Sequence, residues 1–392
     1  MKYMRVLHIT TSFFPVIGGK QNYIENLCLQ LINKGHQSDV LTLNKGRNFK
    51  KTLPESEMYR GINIQRVSYR GPERYKFFPR LSKYIEAYDL LHIHDVKDFY
   101  NYFAFRKWYH KKPIVVSTHG GFFHTRKYHT IKKIYFRTIL PISLRYADKV
   151  IAVSDHDYDI FHRICTNTVV VPNGIDFKSF SQINKNIQKN NFLYFGRISK
   201  NKRLDNLITT FSYLKKNSCD FRLNIIGPDW EGLQDQLNGM VKNNGIENNV
   251  LFIGEVTNDK LLKYLGTAQY FVSASEYEGF GLTVLEAMAS GTIPIVNNIN
   301  PLNGFIRNGT SGFILNFSDP KQASEKILSI LQENPQKQKY ISKNAKMYAH
   351  AFAWETIVEK IEAIYTEILS FLSGEKIYLT TPVSAYPEES QE

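Results

Sequence analysis

The sequence predicts an α/β protein of two doubly wound domains, each built on a mainly parallel sheet. Three observations carry that expectation. Short β-branched or apolar runs alternate with longer stretches of helical periodicity, and the series starts afresh near residue 191. Between the two series lies SFSQINKNIQKNN (179–191), polar and nearly free of apolar periodicity. At 392 residues the chain exceeds one ordinary core, and 43% hydrophobic with 22% charged residues excludes a disordered chain.

VLHIT (6–10), the helical pattern in YIENLCLQLINKGH and SDVLTL (38–43) make a βαβ opening. LLHIH (90–94), PIVVSTH (113–119) and KVIAVS (149–154) continue the sheet, each ending in polar residues at the carboxyl edge, where such sheets bind ligands. These strands define a first domain over 1–175, followed by a linker over 176–190. The second domain, 191–350, takes its strands from FLYFGR (192–197), FRLNIIG (221–227), NVLFIG (249–254), YFVSAS (270–275) and TIPIVNN (292–298). Two similar domains in series predict a cleft. A final helix over 351–373 carries an apolar stripe of Ile357, Ile361, Ile364, Tyr365, Ile368 and Leu372, and the tail 374–392, with Pro and Glu, is expected to be mobile.

The net charge of +14 is uneven: residues 1–175 hold 28 Lys+Arg against 13 Asp+Glu, and the remainder 22 against 23. The first half is therefore expected to meet something anionic, with solvated surface lysines as the plain alternative. Cys28, Cys165 and Cys219 form no C-x-x-C pair, so neither a disulfide framework nor a zinc site is indicated. No run approaches the roughly 18 apolar residues of a membrane span. The expected location is cytoplasmic.

EYEGFGLTVLEA (276–287) places Glu278 and Glu286 on either side of a Gly-x-Gly turn that leads into an apolar helix. Glycines let backbone approach a ligand, and the free amides of the first turn at Thr283 suit an anion such as a diphosphate. Each carboxylate can accept two hydroxyl hydrogens, so Glu278 suits a sugar and Glu286 a ribose. On spacing alone, acids near a helix start are equally ordinary caps.

E-G-F-G-L-x-x-x-E-A-M-A-x-G, from Glu278 to Gly291, resembles the E-x7-E signature of the retaining glycosyltransferases of family four (glycosyl transferases group 1), which have the GT-B fold. The resemblance extends through FFPVIGG (13–19), VVSTHG (115–120), VPNGID (171–176), FGRISKNKRLD (195–205) and the final helix. It implies two Rossmann-like domains facing across a cleft, with the C-terminal helix crossing back to the first domain. By the same resemblance Arg197 and Lys202 contact the donor diphosphate, where fixed cations stabilise the charge of the leaving group. Gly18 and Gly19 face that diphosphate through their amides. His119 touches the donor sugar, and Glu278, Gly279, Phe280, Gly281, Leu282, Thr283 and Glu286 line the donor site. Glu255 lies where such folds hold the base. The catalytic group so implied is His119, Arg197, Lys202 and Glu278, with no metal and no cofactor. Plain readings stand beside each: surface charge for Arg197 and Lys202, a connecting turn for Gly18 and Gly19, a structural imidazole for His119.

Asn173 and Gly174 tolerate positive φ and read as a turn. SDHDYD (154–159) reads as Ser154 capping a helix with an acidic first turn, and in LHIHD (91–95) His92 and His94 share one strand face; neither is taken as a metal site. Residues 120–145 mix aromatic and basic side chains. Ile131, Ile134, Tyr135, Thr138 and Ile139 would make an apolar face for a membrane surface, with Lys127, Lys132, Lys133 and Arg137 toward headgroups, or simply an amphipathic surface helix. His124 is read as structural.

The function expected is transfer of a hexosyl residue, with retention, from a UDP- or GDP-sugar to a glycan or polyprenyl-diphosphate-linked acceptor in cell-surface polysaccharide synthesis, with a peripheral contact at the inner face of the membrane. A nucleotide-sugar epimerase or hydrolase of the same fold is the alternative. A nucleic-acid-binding protein is disfavoured, because no helix-turn-helix, RNA-recognition or zinc-finger signature accompanies the basic residues. The donor base and sugar stay open.

Overall fold

The structure, a computed structural model, describes residues 3–16, 18–45, 52–71, 76–119 and 129–374. The tail expected to be mobile and His124, expected to be structural, fall outside the described residues, as does 120–128 of the basic-aromatic segment. The chain divides into two compact units. The first runs to Gly174 and resumes at Trp354; the second spans Ile175–Ala353.

The first unit holds an eight-stranded sheet: β1 (Arg5–Ile9), β2 (Gln37–Leu43), β3 (Ser56–Tyr59), β4 (Ile62–Val67), β5 (Leu90–Ile93), β6 (Ile114–Ser117), β7 (Lys149–Ala152) and β8 (Thr168–Val170), in spatial order β3-β4-β2-β1-β5-β6-β7-β8. Only β3, on the edge, runs antiparallel. The central strands are buried on both faces, which is why they read as unbroken apolar runs. Alternate residues feed two cores: Leu7, Ile9, Leu91, Ile93 and Val116 on one face, Val6, Val40, Leu90, Val115 and Ile151 on the other. The second face is covered by the helices Gly19–Asn33 and Trp354–Ser373.

The C-terminal helix is integral to this unit. Ile357, Ile361, Ile364, Tyr365 and Ile368 enter the core, but Leu372 is 57% exposed and falls outside the expected stripe. Glu362, buried on the same helix, meets His36 Nε2 at 2.9 Å and Lys34 Nζ at 3.0 Å. Gly174 sits against its first residue: a Cβ there would lie 2.5 Å from the Trp354 ring. That contact, rather than a positive φ, is what demands glycine, so the turn reading of Asn173 and Gly174 is corrected.

The second unit is a six-stranded parallel sheet of β9 (Asn191–Phe195), β10 (Arg222–Ile226), β11 (Val250–Gly254), β12 (Tyr270–Ser273), β13 (Ile293–Asn297) and β14 (Phe313–Leu315), ordered β11-β10-β9-β12-β13-β14. One core of Phe192, Leu207, Phe211, Leu223, Ile295 and Ile327, among others, packs its helices. Residues 176–190 carry a short helix, Phe177–Ser181, capped by Asp176, whose Oδ1 accepts the Ser179 amide at 3.1 Å. The following chain is tied to the second unit by Asn186 N–H to Gly266 O and Gln188 N–H to Thr267 O, both at 2.9 Å.

In residues 129–145 the helices are His129–Arg137 and Ile139–Leu144. Tyr135 turns inward, its hydroxyl donating to Val96 O at 2.7 Å, and Phe136 packs on the core beside it. Ile134 and Ile139 are exposed. The expected single apolar face is therefore split, because Tyr135 points opposite to Ile134.

Candidate active site

At the carboxyl edge of the second sheet β9 and β10 are each followed by a glycine, Gly196 and Gly227. Gly227, after β10, has φ +141°, and a Cβ there would lie 1.9 Å from the Gly196 carbonyl oxygen after β9. From that edge the chain passes to Arg197, which is exposed and stacks its guanidinium 4.4 Å from the centroid of Trp230. A 3-10 turn, Lys200–Lys202, then carries Lys202 toward the loop after β12. The two loops are stitched by Glu276 N–H to Asn201 O (2.9 Å) and Asn201 Nδ2 to Tyr277 O (3.1 Å).

This brings Lys202 and Glu278 together. Lys202 Nζ donates to both oxygens of Glu278, at 2.7 and 2.8 Å, and Ser275 Oγ donates to Glu278 Oε1 at 2.8 Å. With side chains only 12% and 10% exposed, the pair is shielded enough for its attraction to count, yet still reachable. An ammonium has three donors, so one N–H of Lys202 stays free of Glu278.

The helix Leu282–Ala289 begins just beyond, at Gly281, which has φ +96° and no side chain to cap the first-turn amides. A Cβ on Gly281 would strike Leu302 at 2.5 Å, so packing as well as φ demands glycine here. Gly279 is different: it is exposed, has no positive φ, and a Cβ would meet nothing within 4 Å. Phe280 is buried beside Phe305 and Phe352, so it serves the core and leaves only its backbone toward the site. Leu282 and Thr283, in the first turn, are half-buried, and Glu255 is exposed just after β11. Glu286, one turn into the helix, is half-buried, and loss of solvation followed by the charge of Asp176 pushes its carboxyl up to about 7.

The first unit supplies a different surface. His119 follows β6 with φ +55°, a conformation that costs a side-chain-bearing residue of order 1 kcal/mol or more and is concentrated at functional sites. Its Nε2 shares a hydrogen bond with His94 Nδ1 at 3.0 Å, while Nδ1 has no partner among the described residues. Loss of solvation, with Lys20 nearby, holds His119 down to about 3, so it is neutral at physiological pH. Gly18 and Gly19 open the helix Gly19–Asn33. Gly18 is extended, and a Cβ there would lie 2.6 Å from the movable end of the Gln21 side chain; a Cβ on Gly19 would meet nothing within 4 Å, so local packing makes no demand for glycine at 19. The loop before them is anchored by fully buried Arg66, which donates to Phe14 O at 2.9 Å and to Glu57 at 2.6 Å.

The structure thus brings Lys202, Glu278 and the start of the Leu282–Ala289 helix into one site, with Arg197 on an adjoining exposed edge. Sequence reasoning missed Ser275 and Asn201, which hold that site, and Lys20 and His8 in the first unit. His8 had a visible signal, since it sits in the same strand pattern as His92. Ser154 does cap the helix Asp155–His162, accepting the Asp157 amide at 3.2 Å. Among the described residues one group of three metal-ligating side chains is close-set, His8, His92 and His94, with nitrogens within 4.8 Å of one another.

Comparison with known proteins decides the family. The glycosyltransferase family 4 model matches residues 17–179, and the glycosyl transferases group 1 model matches 176–348. A GDP-mannose:cellobiosyl-diphosphopolyprenol alpha-mannosyltransferase of Xanthomonas campestris is 31% identical over 336 residues, 84% of this chain and 88% of that protein. The chain belongs to glycosyltransferase family four. The protein of the same name from Komagataeibacter xylinus is 29% identical over 368 residues, 93% of this chain and 94% of its own. Among solved structures, this glycosyltransferase resembles Anabaena HepE in complex with UDP (TM-score 0.73, 19% identity, 93% of this chain and all of that one) and a sucrose-phosphate synthase from Thermosynechococcus elongatus (0.72, 20%, 94% and all). The fold is GT-B. Among the described residues no helix is long and apolar enough to cross a membrane.

Proposed function

We propose that this glycosyltransferase moves a hexosyl residue, with retention, from a nucleoside-diphosphate sugar to a sugar carried on a polyprenyl diphosphate, in the assembly of a cell-surface polysaccharide. The observation that carries the reading is the shielded Lys202–Glu278 pair at the uncapped start of the Leu282–Ala289 helix. The free N–H of Lys202, the helix amides and Arg197 receive the diphosphate, and Glu278 accepts hydroxyls of the sugar. Glu286 accepts the ribose hydroxyls. Neutral His119 adds a hydrogen bond near the reacting carbon, and Gly18 and Gly19 lend amides to the diphosphate. The leaving phosphate takes the acceptor's proton as the acceptor attacks from the face it leaves. Because Arg197 and Lys202 neutralise the departing charge, activity is expected to survive in EDTA.

The names of the relatives favour GDP-mannose as donor and a diphosphopolyprenol-linked glycan as acceptor. A thermal-shift panel of nucleotide sugars tests the donor, since the correct one stabilises the folded chain by mass action. Release of nucleoside diphosphate only when the lipid-linked acceptor is present separates transfer from epimerisation or hydrolysis. Equal release without acceptor would overturn the transferase reading. For the membrane side, Phe105, Trp108 and Tyr109 stand exposed beside Arg80 and Arg106 on the basic first unit, a pattern suited to a lipid interface. We propose peripheral attachment at the inner face of the cell membrane. Sedimentation with anionic but not zwitterionic vesicles is the expected result.

A further inference from the structure

Four histidines lie on the face of the first sheet that the C-terminal helix covers, and three of them are linked in a chain. His8 Nδ1 meets His94 Nε2 at 2.9 Å, and His94 Nδ1 meets His119 Nε2 at 3.0 Å. The fourth, His92, stands apart from the relay, because Ser117 Oγ holds its Nε2 at 2.7 Å and Tyr365 Oη its Nδ1 at 2.5 Å. His8, His92 and His94 are fully buried. We propose that His8 and His94 are positioning residues that fix the tautomer of His119, leaving its proton on Nδ1, the nitrogen available to a ligand.

The direction follows from the far end of the chain. A neutral imidazole has one donor and one acceptor, so a line of three can run only one way or the other. His8 Nε2 is buried with no hydrogen-bond partner. Were the line to run outward to inward, that atom would carry a buried, unsatisfied N–H. Running from His8 to His119 leaves a bare lone pair there instead, and unsatisfied acceptors are tolerated better than unsatisfied donors. His8 Nδ1–H therefore donates to His94, and His94 Nδ1–H donates to His119 Nε2. His119 is left to donate from Nδ1.

Neutrality is required for this logic, and the surroundings supply it. Loss of solvation holds His8 at about 3 and His94 well below the ordinary range, with the neighbouring imidazoles and Lys20 adding to the effect on His94. The groups that face the relay are the His92 ring 4.1 Å from His94, the Tyr23 ring edge-on to His94 and His119, and Lys20 with Asp95, 4.0 Å apart. A metal held by His8, His92 and His94 would have to displace hydrogen bonds of His92 and His94, whose ring nitrogens are all engaged.

This inference rests on the proposed role of His119 only for its catalytic consequence, so its test separates the two. On the full-length protein with 15N-labelled histidine and no substrate, long-range proton–nitrogen correlation should show His119 protonated on Nδ1. His8→Asn, whose amide nitrogen replaces the Nδ1 donor, should keep that tautomer and activity within about threefold. His8→Leu and His94→Leu should give His119 mixed tautomers and lower kcat by about tenfold or more, with KM for the donor little changed, as for other groups that orient a site residue. An Nε2-protonated His119 in the unaltered protein, an unchanged tautomer in folded His8→Leu, or a stoichiometric bound metal would overturn the proposal. If His8→Leu does not fold, the spectra of the unaltered protein and of His8→Asn still decide. Should the tautomer be as stated while His119→Ala keeps full activity, the catalytic reading fails and the relay stands.

Discussion

The loop site of the second unit and the histidine face of the first meet the same demand, holding polar groups fixed, by opposite means. Lys202 and Glu278 are opposite charges on two loops beyond their strands, pinned by Asn201 and Ser275. His8, His94 and His119 are neutral, two of them within the sheet and its immediate edge, and pinned by one another. A charged pair that is to receive a ligand needs partial access to solvent, and this one lives on loops; uncharged imidazoles tolerate full burial. The difference implies a steep functional contrast between the two regions.

The largest effect should come from the charged region. Lys202→Met removes the cation from the diphosphate and leaves Glu278 without its counter-charge, so kcat is expected to fall about 100- to 1000-fold, as for loss of one preorganised donor to a developing anion. His119→Asn, which keeps a neutral hydrogen-bonding group, should lose much less, about tenfold. Steady-state kinetics with saturating donor measures both. Equal losses would erase the contrast and point to a shared structural role.

That contrast also explains what the sequence disclosed. The acid–glycine stretch from Glu278 to Glu286 is contiguous, so a linear reading recovers its chemistry, and the parallel strands announce themselves because burial on both faces forces unbroken apolar runs. The edge pair β3 and β4 and the three-residue strands β8 and β14 lack that pressure and went unread. Ser275 and Asn201 act through contacts across loops, for which no short-range pattern exists. His8 lies 86 residues from His94, and only the parallel pairing of β1 with β5 sets His8 opposite His92 and brings His94 within reach. Leu372 and the split face of the Ile134–Tyr135 pair show the limit of periodicity, which gives spacing but not where a helix leaves its support.

Glu286 offers a sharper test, because loss of solvation raises its carboxyl to about 7. Ribose hydroxyls donate to the carboxylate, so the protonated form must give up its proton before it binds. Donor affinity should therefore rise between pH 6 and pH 8 as Glu286 ionises near 7, by up to about tenfold. Glu286→Gln should flatten that rise in titration calorimetry. Stability follows the opposite sign. A carboxyl raised in the folded state binds its proton more tightly there than when unfolded, so its contribution is complete below about 4.5 and is lost as the pH climbs through about 7. Melting curves of the unaltered protein minus those of Glu286→Gln should show that decline; a difference that is flat with pH would remove Glu286 from the comparison.

The smallest effect belongs to the exposed cation, Arg197. Arg197 is held by no carboxylate in the described structure but lies 4.4 Å from the centroid of Trp230, itself 59% exposed. A guanidinium over an indole in open solvent gains roughly 0.5–1 kcal/mol. Trp230→Ala should therefore leave the charge intact yet loosen its direction, raising KM for the donor about two- to fivefold with kcat nearly unchanged. Trp230→Phe should recover most of the loss. If Trp230→Ala instead cuts kcat as deeply as Lys202→Met, the stack is holding a group whose orientation matters in the transition state, and Arg197 belongs with the shielded pair rather than on its rim.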